Sequence, residues 1–303
     1  MDYNKLQQCL NALKSKHNIT VQSIGTSVLG KNIYAILVEN NINYKWAIIT
    51  AGIHAREHLS CDLVVMVINK YIKQTANYKY NIAFVPLVNP DGAMLCTSGV
   101  ENLSVKQAQK LIDINGGGDF SLFKANANGV DLNNNFDANW NKQFTNKKQP
   151  NSQGYYGETP NSEPETQALI SFTEKIQPFI TISYHLKGEE IYFDFYQDEK
   201  NYKRDKKIAQ IFAQSTGYKI KSTQHVSSGG YKDWCVQHLK IPALTIELGN
   251  DKFAHPYPQN QINNIFNKNK NVFKCLNKAL KIYNRSNTNE LYGASSLPST
   301  KSI

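Results

Sequence analysis

Four short apolar runs constrain this chain more than any other feature. They lie at 45–50 (KWAIIT), 82–88 (IAFVPLV), 179–184 (FITISY) and 243–248 (ALTIEL). Each is too short for a core helix and too continuous for a half-exposed strand. Each therefore predicts a strand buried on both faces. Between them lie segments with apolar residues at helical spacing. One covers 61–74 behind Ser60 as N-cap, and a shorter one covers about 104–112. A third runs to about 176 behind a Ser162-Glu163-Pro164-Glu165 capping box. Strands that alternate with helices predict a largely parallel sheet with helices on both faces. The 303 residues, 41% of them hydrophobic, suffice for one such domain.

The flanks add detail. Residues 3–16 predict an amphipathic helix with Leu6, Leu10 and Leu13 on one side. Strands at 21–27 and 33–38 are expected to pair as a hairpin through Leu29-Gly30-Lys31. Asn89-Pro90-Asp91-Gly92 reads as turn chemistry that stops a strand. Gly116-Gly117-Gly118 and residues 139–158 read as loops, and 229–239 as a helix entered through two glycines. Residues 258–283 predict one long helix. Residues 1–285 would then form one folded domain, and the Ser/Thr/Asn-rich stretch 286–303 a disordered tail.

Composition excludes several classes. The net charge is +10, yet no basic run carries interleaved aromatics, so no nucleic-acid partner is expected. The five cysteines are odd in number and include no CxxC pair, which argues against a disulfide framework and against a thiolate zinc site. The first residues lack an apolar h-region, and no window has the eighteen or so apolar residues of a membrane span. The expectation is a cytoplasmic protein, or one released by lysis if its target lies outside. Nothing in the sequence sets an oligomeric state.

His54, Asp91, His185 and Glu247 all fall at or just after expected strand ends. In open α/β sheets, ligands bind beyond the carboxyl ends of the strands. Taken singly, each residue has two readings. His54 and Glu57 form a His-x-x-Glu metal pair or a solvated turn. His185 is a third ligand or a core histidine bonded to a carbonyl. Glu247, in an apolar strand, is a base with a raised pKa or half of a buried ion pair. Asp131 orients a liganding histidine or bonds its own loop.

In order, HAREH, NPDG, GVDLNNNF, SYH, GGYKDW and TIELG resemble the zinc carboxypeptidase family over roughly residues 20–285. The resemblance implies a single α/β domain with a mixed, mainly eight-stranded twisted sheet. It implies one zinc ion on His54, Glu57 and His185. Glu247 becomes the acid/base, and Asp131 the partner of His54. Lys124 stands where the family has an oxyanion-stabilising arginine. Two departures stand out. Asn133-Asn134-Asn135 replaces an Asn-Arg-Asn whose arginine clamps a terminal carboxylate, and His225 stands near the position of a mobile tyrosine.

SYHLKGEEIYF, GVDLNNNF and GGYKDW look like the bacterial γ-D-glutamyl-diamino acid peptidases. That branch implies a cell-wall stem peptide as substrate. Arg56, Lys187 and Lys232 are then expected to meet its carboxylates, and Glu189 or Glu190 its amine. Asn133, Asn134, His225 and Tyr231 complete the expected substrate surface. The alternatives are a deacylase of N-acyl amino acids, an ordinary carboxypeptidase, and a binding protein that keeps the site without turnover.

Overall fold

The four apolar runs stand side by side in one sheet. The computed structural model describes residues 1–16, 19–142, 145, 147–222 and 228–293. Its strands are β1 (Thr20–Thr26), β2 (Asn32–Val38), β3 (Trp46–Ala51), β4 (Asn81–Val85), β5 (Ile180–Leu186), β6 (Glu190–Tyr192), β7 (Lys219–Lys221) and β8 (Ala243–Leu248). They form one 8-stranded sheet in the order β1-β2-β4-β3-β5-β8-β6-β7. The centre, β4-β3-β5-β8, is parallel. The β1-β2 hairpin adds antiparallel on one side, and β6 on the other. The mixed sheet expected from the motifs is therefore present.

Alternation along the central strands feeds two cores. Ile49, Ile182 and Ile246 face one side, packed with Leu6, Leu10 and Leu13 of α1 (Tyr3–Lys16). On that side they also meet α2 (Leu59–Ile72), α6 (Glu199–Thr216) and α9 (Val272–Gly293) through Val64, Phe212 and Phe273. Ile48 and Ala243 face the other side, against Leu169 and Phe172 of α5 (Pro164–Ile176) and Trp234 of α7 (Tyr231–Trp234). All five cysteines are free. Among the described residues, no helix is long and apolar enough to cross a membrane.

Several local expectations are corrected. Asn89-Pro90-Asp91-Gly92 starts a helix: α3 (Pro90–Ser98) begins with Pro90, and Asn89 Oδ1 accepts from Gly92 N at 2.9 Å. α4 (Val105–Asn115) carries a full capping box from Ser104. The Ser162–Glu165 box does not form, because Glu163 itself occupies the N-cap position and bonds elsewhere. Its carboxylate takes Asn126 Nδ2, Asn128 Nδ2 and Ser162 Oγ. Ser60 lies inside α2, where its hydroxyl donates to Glu57 O and accepts from Gly52 N.

The single long C-terminal helix is two, α8 (Ile262–Asn269) and α9. Asn271 O accepts from both Lys274 N and Cys275 N and starts the second. α9 runs to Gly293, past the boundary expected at 285, and residues 294–303 lie outside the described residues. The short strands β6 and β7 and the polar helix α6 were not expected. The apolar face of α6 is built on buried Ile208, Ala209 and Phe212, with Tyr202, Ile211 and Ala213 packed partly buried beside them.

One buried acid has a consequence for stability. Glu165 is fully buried and accepts from Val28 N at 3.1 Å and Asn126 Nδ2 at 3.0 Å. Burial, only partly offset by those bonds, pushes its carboxyl up to about 7 from the ordinary 4.5. The folded state then holds this proton more tightly than the unfolded state. Its stabilisation is full below about 4.5 and is lost as pH rises through about 7. Urea unfolding is expected to lose about 2–3 kcal/mol between pH 5 and 8 through this residue. Glu165→Gln should flatten that slope. An unchanged slope in the variant would contradict the assignment.

Candidate metal centre

β3 ends at Ala51, and the chain turns sharply at Gly52, whose φ is +64°. A Cβ there would meet Cys61 Sγ at 2.6 Å and Leu87 Cδ1 at 2.8 Å, so only glycine fits. The turn delivers His54 in extended backbone, followed by a 3-10 turn, Ala55–Glu57. Ala55 N donates to Lys124 O at 3.1 Å, which fixes this turn against the loop carrying Lys124. A three-residue step across a 3-10 turn brings both side chains to one side. His54 Nδ1 lies 2.8 Å from Glu57 Oε1.

The other half comes from the sheet. His185 stands in register with Glu247 across the parallel β5-β8 pair. It lies inside β5 rather than beyond its end. His185 Nδ1 lies 3.2 Å from His54 Nδ1 and 3.3 Å from Glu57 Oε2. Leu186 N donates to Glu57 Oε2 at 3.1 Å and ties the two segments together. All three side chains are buried, and their ligand atoms lie within 4.8 Å of one another.

This donor set fits a zinc ion. Two imidazoles and a carboxylate make the three-ligand set of hydrolytic zinc sites, with a fourth position left for water or substrate. The facing Nδ1 atoms provide a test. A single proton between them makes one nitrogen a donor and uses only one lone pair, whereas a cation in their midst engages both. Glu57 is suited to the same cation: burial raises its carboxyl, but His54 and His185 outweigh this and hold it well below the carboxylate range.

Behind His54 stands a charged pair. His54 Nε2 lies 3.2 Å from Asp131 Oδ1, and Lys124 Nζ lies 3.1 Å from Asp131 Oδ2. Gly154 N also donates to Asp131 Oδ2, at 3.1 Å. Burial works against the charge on Lys124, yet Asp131 and Glu57 hold it above the ordinary lysine range. Glu247 completes the group. Its Oε2 is buried and has no protein hydrogen-bond partner. Burial pushes its carboxyl up to about 8, with His185 opposing and Glu57 reinforcing.

The expected substrate residues divide. Arg56 sits between the two ligands, with Nη1 on Leu122 O and Gln153 Oε1, both at 3.2 Å. Asn133 and Asn134 lie on the 3-10 turn directly after Asp131, and Asn133 Oδ1 accepts from Tyr231 N. Lys187 follows β5, with Nζ on Asp251 O at 2.8 Å. Glu190 stands opposite Glu247 on β6.

Three expectations are corrected. Tyr231 is a core residue packed on Phe136, with its hydroxyl 2.7 Å from Thr173 Oγ1. Lys232 is buried, donates to Asp194 O at 2.7 Å and pairs with Asp233, so its charge serves the fold. Glu189 turns away to Lys268 Nζ at 2.5 Å. His225 lies outside the described residues. Two groups at the site were missed. The Tyr192 hydroxyl bonds Glu190, a link that the two-residue spacing in EIY signals. His255 feels Glu57, Arg56 and Lys187, and its Nδ1 is buried without a partner, with no periodic pattern to announce it.

Comparison with known proteins gives a consistent result. Residues 6–272 match the family model described as zinc carboxypeptidase. The chain is 31% identical over 293 residues to gamma-D-glutamyl-L-diamino acid endopeptidase 1 of Lysinibacillus sphaericus, covering 90% of this chain and 71% of that one. It is 31% identical over 144 residues to murein peptide amidase A of Escherichia coli strain K12, covering 44% and 56% of the two chains. Bovine thrombin-activatable fibrinolysis inhibitor, solved in complex with tick carboxypeptidase inhibitor, shares the fold with a TM-score of 0.72 at 20% identity, over 95% of this chain and 98% of that one. The family match spans both histidines, Glu57 and Glu247, and the chain therefore belongs to the zinc carboxypeptidase family, as a metallopeptidase-type hydrolase.

Proposed function

We propose that this protein hydrolyses an amide bond in bacterial cell-wall stem peptides, namely the bond between γ-D-glutamate and the diamino acid, with one zinc ion per chain. The observation that carries this reading is the 31% identity to a γ-D-glutamyl-diamino acid endopeptidase across 90% of the chain. The neutral Asn133-Asn134-Asn135 segment supports it. Asn134 brings no charge to pair with a C-terminal carboxylate, the mark of a plain carboxypeptidase substrate.

His54 Nδ1, Glu57 and His185 Nδ1 would hold the ion. When bound, zinc supplies Lewis acidity, polarising the scissile carbonyl and acidifying water. Glu247 Oε2 takes a proton from the attacking water and passes it to the leaving nitrogen. Glu247 Oε2 is buried beside the proposed ligands with no protein hydrogen-bond partner, so it is free to accept and return that proton. Asp131 faces His54 Nε2, which sets the tautomer and leaves Nδ1 as the ligand atom. Lys124 balances the charge of Asp131 and offers its remaining N–H groups to the developing oxyanion. As an ammonium it does so as a point charge, without the fork of an arginine.

Mass spectrometry of products from defined tri-, tetra- and pentapeptide stems, with and without chelator, tests the proposal. The expected result is release of the diamino acid, or of a peptide beginning with it, only when metal is present. Stepwise loss of C-terminal residues instead would assign an ordinary carboxypeptidase. Cleavage of acyl-amino acids alone would assign a deacylase.

A further inference from the structure

His185, Glu247 and Glu190 form a row across three neighbouring strands. His185 pairs with Glu247 in the β5-β8 register, and Glu190 pairs with Glu247 in the β6-β8 register. Paired residues point to the same face of a sheet. That face also carries Ala243, two pairs of residues back along β8, in the core under α5 and α7. The row thus runs from a metal-binding imidazole, through the acid/base, to a second carboxylate one strand further out.

The second carboxylate is held in place. The Tyr192 hydroxyl donates to Glu190 Oε2 at 2.6 Å from two residues along the same strand. Its protein counter-ion is loose: Lys221 Nζ lies 3.4 Å from Glu190 Oε1, and the Lys221 side chain is 51% exposed. An exposed pair of this kind contributes little and gives way readily to a competing cation. Glu189 cannot receive such a cation, since its carboxylate is taken up by Lys268 Nζ at 2.5 Å.

We infer that Glu190, positioned by Tyr192, is the specificity residue that receives the free ammonium group of the substrate's diamino acid, on the leaving-group side of the scissile bond. The inference rests on the stem-peptide reading proposed above. Glu247 delivers its proton to the leaving nitrogen, so the portion of substrate attached to that nitrogen extends along the row toward β6. A side-chain amine on that portion meets Glu190, and a neutral side chain of the same length leaves the carboxylate without its partner.

The test compares two stem tripeptides, L-alanyl-γ-D-glutamyl-L-lysine and the same peptide acetylated on the lysine side-chain nitrogen. Wild-type enzyme is expected to favour the free amine by roughly 10- to 100-fold in kcat/KM, the range for a hydrogen bond to a charged group. Glu190→Gln should erase that preference, mainly by raising KM for the free amine, while the zinc content stays that of wild type. Glu190→Asp should restore part of the preference, which a merely structural role would not do. Equal rates on both peptides with wild type, or a preference that survives in Glu190→Gln, overturns the role of Glu190 alone. Failure of wild type to cleave either peptide overturns the stem-peptide reading and the inference together.

Discussion

Glu247→Gln is expected to lower kcat by about 10²–10⁴-fold, the usual worth of a positioned acid/base, while leaving bound zinc unchanged. Glutamine has the same shape as glutamate but cannot accept a proton from water and return it. The substitution disturbs little else. Glu247 Oε2 has no protein partner to strand, and the residue is not among the converging ligand atoms. It also removes one of the carboxylates crowded beside Glu57 and Glu190, so folding should not suffer. Steady-state kinetics on a stem peptide, together with zinc analysis of the same sample, separates the outcomes. A rate near wild type would remove Glu247 from the chemistry.

His54→Ala should lose both zinc and activity. The loss of affinity should exceed the 10–100-fold that a partner such as Asp131 contributes, because a direct ligand is removed. Two ligands then remain, Glu57 and His185, and both are buried. Without His54, Glu57 also loses the first of the two imidazoles that hold its carboxyl low. Zinc added to the metal-depleted wild type should raise its melting temperature, since an ion held by three converging ligands favours the folded state. The variant should show no such rise. Stoichiometric zinc in purified His54→Ala would refute the ligand assignment. Together the two substitutions separate holding the ion from moving the proton.

Much of this was legible from the chain itself, for identifiable reasons. The central strands were readable because burial on both faces leaves an unbroken apolar run, as in KWAIIT and ALTIEL. That His54, Glu57 and His185 belong together was implied by the resemblance rather than by any one residue, and the structure places their donor atoms within 4.8 Å of one another. The peripheral elements were not. β6 and β7 have three residues each, below the length at which alternation can be recognised. α6 is lysine-rich and polar on average, and tertiary packing of a few apolar residues overrides its composition. Asn89 was ambiguous because the same Asn-Pro-Asp-Gly chemistry closes a turn or opens a helix.

The substrate surface was least legible. Charge type alone does not reveal whether a side chain is spent on the fold. Lys232 and Glu189 looked available and are engaged by Asp194, Asp233 and Lys268. Tyr231 sat in the right motif and faces the core. Only three-dimensional pairing distinguishes these from Glu190, which belongs to the same run of residues.

The alignment of β5, β8 and β6 makes the active site intolerant of changes in chain length. Because neighbouring positions in a strand point to opposite sides, inserting or deleting one residue just ahead of Ala243 would swing Glu247 into the oily layer beneath and bring Ile246 up in its stead. Substitutions here can be graded, but indels cannot. Length variation among descendants of this enzyme should therefore gather in the loops, while the short strands keep their count.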